Sequence, residues 1–163
     1  MSTATFHLAQ LNIGTVRFPL DSPEMAGFVN GLDEINALAD TADGFVWRLQ
    51  SESGNATDIQ AFDDPHLLVN MSVWESIHAL RAYVYKSAHV DFLRQRKEWF
   101  QPMERPMQVL WWIPAGHIPA VAEAKERLEQ LTRHGATANA FTFRSPFDPD
   151  VREADGAIDG DAP

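Results

Sequence analysis

The spacing of hydrophobic positions changes repeatedly along the first 147 residues, and these changes predict an order of strands and helices. Four stretches have the alternation or the short apolar run of a strand: 6–13, 45–50, 67–74 and 107–113. Apolar side chains fall on both faces of at least three of these strands. Such strands are typical of a sheet that is covered on two sides.

Helical spacing separates the first two strands. Ser22, Pro23 and Glu24 predict a helix start, with Ser22 as the N-cap and Pro23 in the first turn. The helix that follows carries a one-sided apolar stripe, formed by Met25, Phe28, Val29, Leu32, Ile35 and Ala39.

Three further elements follow the third strand. Residues 75–83 and 88–100 predict a helix with a bend between its two parts, since Val84, Tyr85 and Ser87 are weak helix formers. Pro119 opens an amphipathic helix that closes at Gly135, and 140–143 is predicted as a short final strand.

The order β-α-β-β-α-β, with an added helix and strand, predicts a ferredoxin-like α+β domain over residues 1–147. Helices in this plan cover one face of an antiparallel sheet. Because the other face is also apolar, we expect a second copy of the chain to pack against it, which makes the protein a homodimer.

Composition narrows the functional classes. The 163 residues include no cysteine, which excludes disulfides, thiolate metal sites and thiol catalysis. The formal net charge of -10 argues against nucleic acid as a partner. Neither a signal peptide nor an apolar run long enough to cross a membrane is apparent, so we expect no membrane partner and a cytoplasmic location.

The charge is uneven along the chain. Residues 148–163 contain six acidic residues and one arginine among Gly, Ala and Pro. Such a segment lacks the apolar residues needed for a core, and we interpret it as a disordered acidic tail.

Candidate chemistry concentrates between Tyr85 and Pro119. His89 is the most informative residue, because an imidazole there is suited to general-base catalysis. Arg96 lies seven residues later and is suited to holding an anion. Aromatic side chains complete a predicted pocket for a small molecule, with five candidates for substrate binding: Trp47, Trp74, Tyr85, Trp99 and Trp111.

Each candidate also has a structural interpretation. His89 is alternatively held by hydrogen bonds beside the helix bend, and Arg96 by an ion pair. Most of the tryptophans are expected in the core or a dimer contact. Asn12, Asn70 and Ser72 point inward from strands, where they either orient a ligand or bind water and backbone. No phosphate-binding loop, hydrolase motif or histidine pair with metal spacing is present, so no metal site is predicted.

Several pieces of the chain resemble one bacterial family. Phe6-His-Leu-Ala-Gln-Leu-Asn, Ser72-Val-Trp-Glu-Ser and Leu110-Trp-Trp-Ile-Pro recur in a fixed order with Ala140-Phe-Thr-Phe. A Tyr-x-x-x-His and an Arg-x-Arg-x-x-Trp-Phe pattern lie between them. Over residues 4–147 the chain is similar to the domain-of-unknown-function family numbered 3291, in the dimeric α/β-barrel superfamily.

The resemblance implies a fold more than an activity. Members of the wider superfamily include cofactor-free monooxygenases of antibiotic biosynthesis, haem-binding and haem-degrading proteins, lactone isomerases and polyketide cyclases. The first hypothesis is therefore a monooxygenase-like protein that needs no cofactor and oxidises a small apolar or aromatic metabolite, with His89 as base and Arg96 as anion stabiliser. The second is a haem-binding protein with His89 as axial ligand. The third is a non-enzymatic ligand-binding or scaffold protein, in which the protein's own aromatic side chains fill the pocket.

Overall fold

The computed structural model describes residues 5–51, 56–57, 59–85 and 87–149, and leaves the side chains of residues 87–89 undescribed. Its four strands are β1 (Phe6–Thr15), β2 (Phe45–Arg48), β3 (Leu67–Trp74) and β4 (Gln108–Pro114). Its five α-helices are α1 (Ala26–Asp40), α2 (Ile77–Val84), α3 (Ser87–Arg94), α4 (Arg96–Trp99) and α5 (Val121–His134). None of the described helices is long and apolar enough to cross a membrane.

The four strands form one antiparallel sheet in the order β2-β3-β1-β4. This order confirms the predicted ferredoxin-like α+β plan. The predicted strand at 140–143 is reduced to isolated bridges, and its one bridge to β4 joins Leu110 and Phe141 by two backbone hydrogen bonds of 2.8 Å. The chain cannot continue along β4 because it turns at once, with the Ser145 amide donating to the Thr142 carbonyl.

The start of α1 differs from the prediction. The Ser22 hydroxyl donates backwards to the Pro19 carbonyl instead of capping the helix, and a 3-10 turn over Pro23–Met25 precedes Ala26. The apolar stripe is otherwise confirmed, because Met25, Phe28, Ile35 and Ala39 are buried. Leu32 is half-buried, and Val29 is 39% exposed at the edge of the stripe.

The second helical stretch bends as predicted but also breaks once more. The Gln95 amide donates to the Phe92 carbonyl, a tightened turn that separates α3 from α4. The stretch 88–100, predicted as one helix, therefore consists of two short helices, α3 and α4.

Two glycines of α1 explain where this broken helix packs. A Cβ atom added at Gly31 would lie 2.6 Å from the Phe92 ring, and one at Gly27 would lie 3.2 Å from Trp99. The absence of both side chains lets the two rings pack closely against α1. Phe92 and Trp99 thereby form part of the wall beside the sheet.

The opposite face of the sheet is covered by the chain itself. Ala124, Leu128 and Leu131 of α5 are buried against residues of all four strands, in a cluster that includes Trp111 and Val73. An uncovered apolar face was the reason for expecting a homodimer, and within the described residues α5 removes that reason. The dimer stays a prediction without this support.

A bulge in β2 changes which residues face which side. Phe45 pairs with Trp74 and Trp47 pairs with Val73, with a register shift between them. Phe45 consequently packs on the side of α1 and α2, whereas Trp47 packs on the side of α5. Strict alternation over the predicted strand 45–50 places both rings on one face, and this prediction is wrong because the extra residue shifts the alternation.

Candidate functional site

A cavity of about 380 Å³ lies between the sheet and helices α1 to α4. The sheet forms its floor and the helices form its walls. Asn70 at the middle of β3 is exposed, so the floor is reached by solvent. The volume falls in the range of small-molecule sites. A cavity of this size disfavours the version of the third hypothesis in which the protein's own aromatic side chains fill the pocket.

The floor carries a hydrogen-bonded cluster of polar side chains on neighbouring strands. Gln10 Nε2 donates to Asn70 Oδ1 at 2.9 Å and to Ser72 Oγ at 2.8 Å. Trp74 Nε1 also donates to Ser72 Oγ, at 2.8 Å. Gln10 is 4% and Ser72 is 7% exposed. Burying such groups is costly unless they are paired, and the cluster supplies those pairs.

A second amide pair lies farther along β1. Asn12 is opposite both Asn70 and Gln108 in the sheet, and Gln108 Nε2 donates to Asn12 Oδ1 at 2.9 Å. The side-chain amide nitrogens of Asn12 and Asn70 donate to none of the described residues. Both side chains line the cavity, so unused donors face the space where a ligand would lie.

The wall beside these polar groups is aromatic. Its four rings contact one another at centroid distances between 4.9 and 5.7 Å, and they belong to Phe28, Phe92, Trp99 and Phe100. A Cβ atom at Gly14 would lie 2.7 Å from Phe100, so that ring lies directly on the backbone of β1. Flat apolar surfaces of this kind bind aromatic or alicyclic rings.

Two arginines line the cavity, and their surroundings differ. Arg48 Nε donates to Asp40 Oδ1 at 2.7 Å and Nη2 to Oδ2 at 3.3 Å, a two-point ion pair. Arg96 Nη2 donates to the Ile13 carbonyl at 3.3 Å and to Met107 Sδ at 3.4 Å. Among the described residues no carboxylate pairs with Arg96.

The environment of Arg96 works against its charge. Its guanidinium is half-buried and lies over the Phe100 ring at 5.2 Å. Burial lowers the pKa of Arg96 from its ordinary value. Arginine remains cationic even so, and the cavity therefore contains a positive charge that the described protein does not neutralise.

Tyr83 is the tyrosine that the fold brings to the cavity. Its hydroxyl donates to the Ile35 carbonyl at 3.0 Å, and its ring stacks on Trp74 at 5.0 Å. Burial raises the pKa of Tyr83, with a smaller opposing effect of Arg48. The phenol thus stays protonated and supports the wall by packing.

The structure brings together three of the seven predicted site residues. Trp74, Trp99 and Arg96 line the cavity. Tyr85 follows α2 and is 73% exposed. Trp47 and Trp111 lie on the α5 face, where Trp111 Nε1 donates to Glu123 at 2.8 Å. Those two indoles cannot contact a ligand in the cavity, because the sheet lies between.

His89 belongs to α3, and its side chain lies outside the described residues. No described residue that lines the cavity is a histidine. The haem alternative therefore depends on His89 alone and gains no support from its surroundings. Among the described residues, no three His, Cys, Asp or Glu side chains form a metal site.

The largest omissions of the sequence interpretation are Gln10 and the Arg48–Asp40 pair. A signal for Gln10 was present, since Gln10 and Asn12 are two residues apart, as are Asn70 and Ser72. Alternation places each pair on one strand face. The pairing of Arg48 with Asp40 depends on how α1 lies beside β2, which no local pattern reveals.

Comparison with known sequences places the chain in a family. Residues 7–157 match the family described as Domain of unknown function (DUF3291), and the chain belongs to it. This confirms the resemblance read from the sequence. The match extends beyond residue 147 into the acidic segment, of which residues 150–163 lie outside the described structure. No curated protein matches the chain.

Several solved structures are distantly similar. SnoaB, a cofactor-independent oxygenase from Streptomyces nogalater, shares 16% identity over 69% of this chain and 95% of its own, with a TM-score of 0.43. A conserved protein from Methanosarcina mazei shares 11% over 67% and 92%, with a TM-score of 0.45. PA3566 from Pseudomonas aeruginosa shares 12% over 72% and 100%, with a TM-score of 0.44. At these values the functional argument rests on the cavity itself.

Proposed function

We propose that this member of the DUF3291 family binds a small molecule with a flat apolar body and an anionic end in the cavity between the sheet and helices α1 to α4. The observation that carries this proposal is the Arg96 guanidinium, half-buried on the cavity wall with no carboxylate partner among the described residues. A buried charge without a partner is costly. An anionic ligand supplies the missing partner.

The remaining surfaces support the shape of such a ligand. The rings of Phe28, Phe92, Trp99 and Phe100 offer apolar contact on one side. The amides on β1, β3 and β4 offer hydrogen bonds from below. A molecule of two or three fused rings with a carboxylate or enolate group matches both surfaces.

The reaction we propose is oxidation of the bound molecule at an acidic CH2 group by dioxygen. A base removes one proton from carbon, and the negative charge moves to the adjacent carbonyl oxygen, while Arg96 holds the carboxylate at the other end of the molecule. The carbanion gives its electrons to dioxygen. One oxygen atom becomes a carbonyl on that carbon, and the other leaves as water with the two hydrogens. The base in this proposal is His89, which rests on the sequence interpretation.

Binding is tested by calorimetric titration with a matched pair of probes, fluorene-3-carboxylate and its neutral carboxamide. The wild type should prefer the carboxylate, and Arg96→Met should lose this preference, weakening carboxylate binding about tenfold to a hundredfold. Arg94→Met is the control, because Arg94 is exposed and pairs with Asp91. Equal affinity of the two probes for the wild type would overturn the anionic assignment.

The reaction is tested with 2-indanone-5-carboxylate, whose CH2 group lies between a carbonyl and an aromatic ring. We expect oxygen uptake and formation of the dione, measured by an oxygen electrode and mass spectrometry. His89→Ala and Arg96→Ala should each abolish it. Turnover that is unaffected by both substitutions would remove the proposed roles while leaving the binding result intact.

A further inference from the structure

The hydroxyl group of Ser72 has an unusual set of partners. Two N–H groups donate to its oxygen at 2.8 Å, one from Gln10 and one from Trp74. A hydroxyl has two acceptor positions and one hydrogen. Both acceptor positions are therefore occupied, and the Ser72 hydrogen donates to no described residue.

The position of Ser72 places this hydrogen within reach of the cavity. Gln10 lies opposite Ser72 on β1, and Trp74 lies two residues along β3 on the same face. Their N–H groups take up the two acceptor positions of the oxygen. Ser72 lines the cavity, so a ligand there can accept the hydrogen that remains.

We infer that Ser72 is a specificity-determining residue that donates a hydrogen bond to a carbonyl oxygen of the ligand, with Gln10 and Trp74 as positioning residues. This inference rests on the proposed function, because it concerns the same ligand and adds a second recognition point. It assigns the substrate or product class as an aromatic keto acid, with a carboxylate at Arg96 and a ring ketone at Ser72.

The spacing along the sheet supports two separate recognition points. Arg96 contacts the carbonyl of Ile13, which is three residues along β1 from Gln10. Three residues of a strand span about 10 Å. The side chains of Arg96 and Ser72 extend into the cavity and shorten this distance. Two or three fused rings therefore suffice to place a carboxylate at Arg96 and a ketone at Ser72.

The positioning role of Gln10 and Trp74 follows from their burial. Gln10, Ser72 and Trp74 are each less than one-tenth exposed. The Trp74 ring is fixed between Phe45 at 5.4 Å and Tyr83 at 5.0 Å. A hydroxyl whose acceptors are satisfied by two fixed donors is oriented before the ligand arrives, and such preorganised donors bind more strongly than mobile ones.

The test uses two probes that differ only at one ring carbon, 9-oxofluorene-3-carboxylate and fluorene-3-carboxylate. We expect the wild type to bind the ketone about three- to tenfold more tightly, as one neutral hydrogen bond predicts. Ser72→Ala should bind both probes equally, whereas Ser72→Thr, which keeps the hydroxyl, should retain the preference. Urea unfolding of each variant shows that it is folded.

Infrared difference spectra give a readout that a purely structural role of Ser72 would not change. The carbonyl band of the bound ketone should shift to lower frequency in the wild type and in Ser72→Thr, and should lose this shift in Ser72→Ala. An unchanged band in Ser72→Ala, or equal affinity of the wild type for both probes, would overturn the role of Ser72 and leave the proposed function standing. Failure of both probes to bind at all would overturn the role of Ser72 and the proposed function together.

Discussion

The two faces of the central sheet are built from the same strands and differ in what covers them. On one face, α5 closes an apolar cluster in which Leu11, Val73 and Val109 are almost completely buried. On the other face, Gln10, Asn12, Asn70 and Ser72 replace apolar residues, and the helices leave a cavity of about 380 Å³. The α5 face is close-packed, whereas polar groups and a cavity replace close packing on the other face.

The difference between the two faces indicates that the cavity face is the functional one. A close-packed interior tolerates neither a gap nor an extra atom. The cavity face contains both a gap and Arg96, which has no carboxylate partner in the described part of the chain, and a ligand would offset both costs. We therefore expect substitutions on the α5 face to change stability, and matched substitutions on the cavity face to change binding.

Truncating one leucine on each face should give the largest difference in the free energy of unfolding between the two faces. Leu128→Ala removes a side chain that is 4% exposed and leaves a void, so the free energy of unfolding should fall by about 3 kcal/mol. Leu32→Ala removes a half-buried leucine that borders the cavity and should cost only about 1 kcal/mol. Urea unfolding measures both. Equal losses would mean that the two faces are packed alike.

Replacing a small residue by a larger one on each face should give the next largest difference in stability. Ala124 of α5 is fully buried against the sheet, and Ala124→Leu should destabilise the protein by about 2 kcal/mol, since no space is free. Gly31→Ala forces the Phe92 ring aside, but the ring has the cavity beside it. Its stability cost should stay below about 1 kcal/mol, and binding of fluorene-3-carboxylate should weaken. Asn30→Ala, an exposed change on the same helix, is the control.

An arginine of the cavity wall and an exposed arginine of α3 extend the comparison to ion pairs. Arg48→Met breaks the two-point pair with Asp40, and because Asp40 is partly exposed the loss should be about 1 kcal/mol. Arg94→Met, which breaks an exposed pair with Asp91, should change stability by less than about 0.5 kcal/mol. Thermal or urea unfolding distinguishes these cases. A neutral effect of Arg48→Met would show that its ion pair is not part of the stable wall.

Much of the fold was predictable because it depends on local periodicity. The alternation in β3 and the glycine at the end of α5 specify those elements by themselves: Leu67–Trp74 matches its predicted bounds, and Gly135 adopts a positive φ of 72° as a C-cap. The ferredoxin-like order then follows from the sequence of elements.

The candidate site was predictable only in part, for physical reasons. Trp47 was assigned to the wrong face because a bulge adds one residue to β2, and a shift of one residue reverses every side chain. Adjacent tryptophans at 111 and 112 gave no indication of which indole faces α5. The cover of the second face depends on where α5 docks, and docking is a long-range property that periodicity does not encode.

The most direct test of the central claim is the stability of Arg96→Met measured with and without fluorene-3-carboxylate. Without ligand, the variant should be as stable as the wild type or up to about 1 kcal/mol more stable, because it removes a half-buried charge that has no carboxylate partner among the described residues. With ligand at about 100 times its dissociation constant, the wild type should gain about 2.7 kcal/mol and become the more stable protein. A variant that is less stable without ligand, or that gains as much from the ligand as the wild type, would contradict a cavity built around an unneutralised arginine.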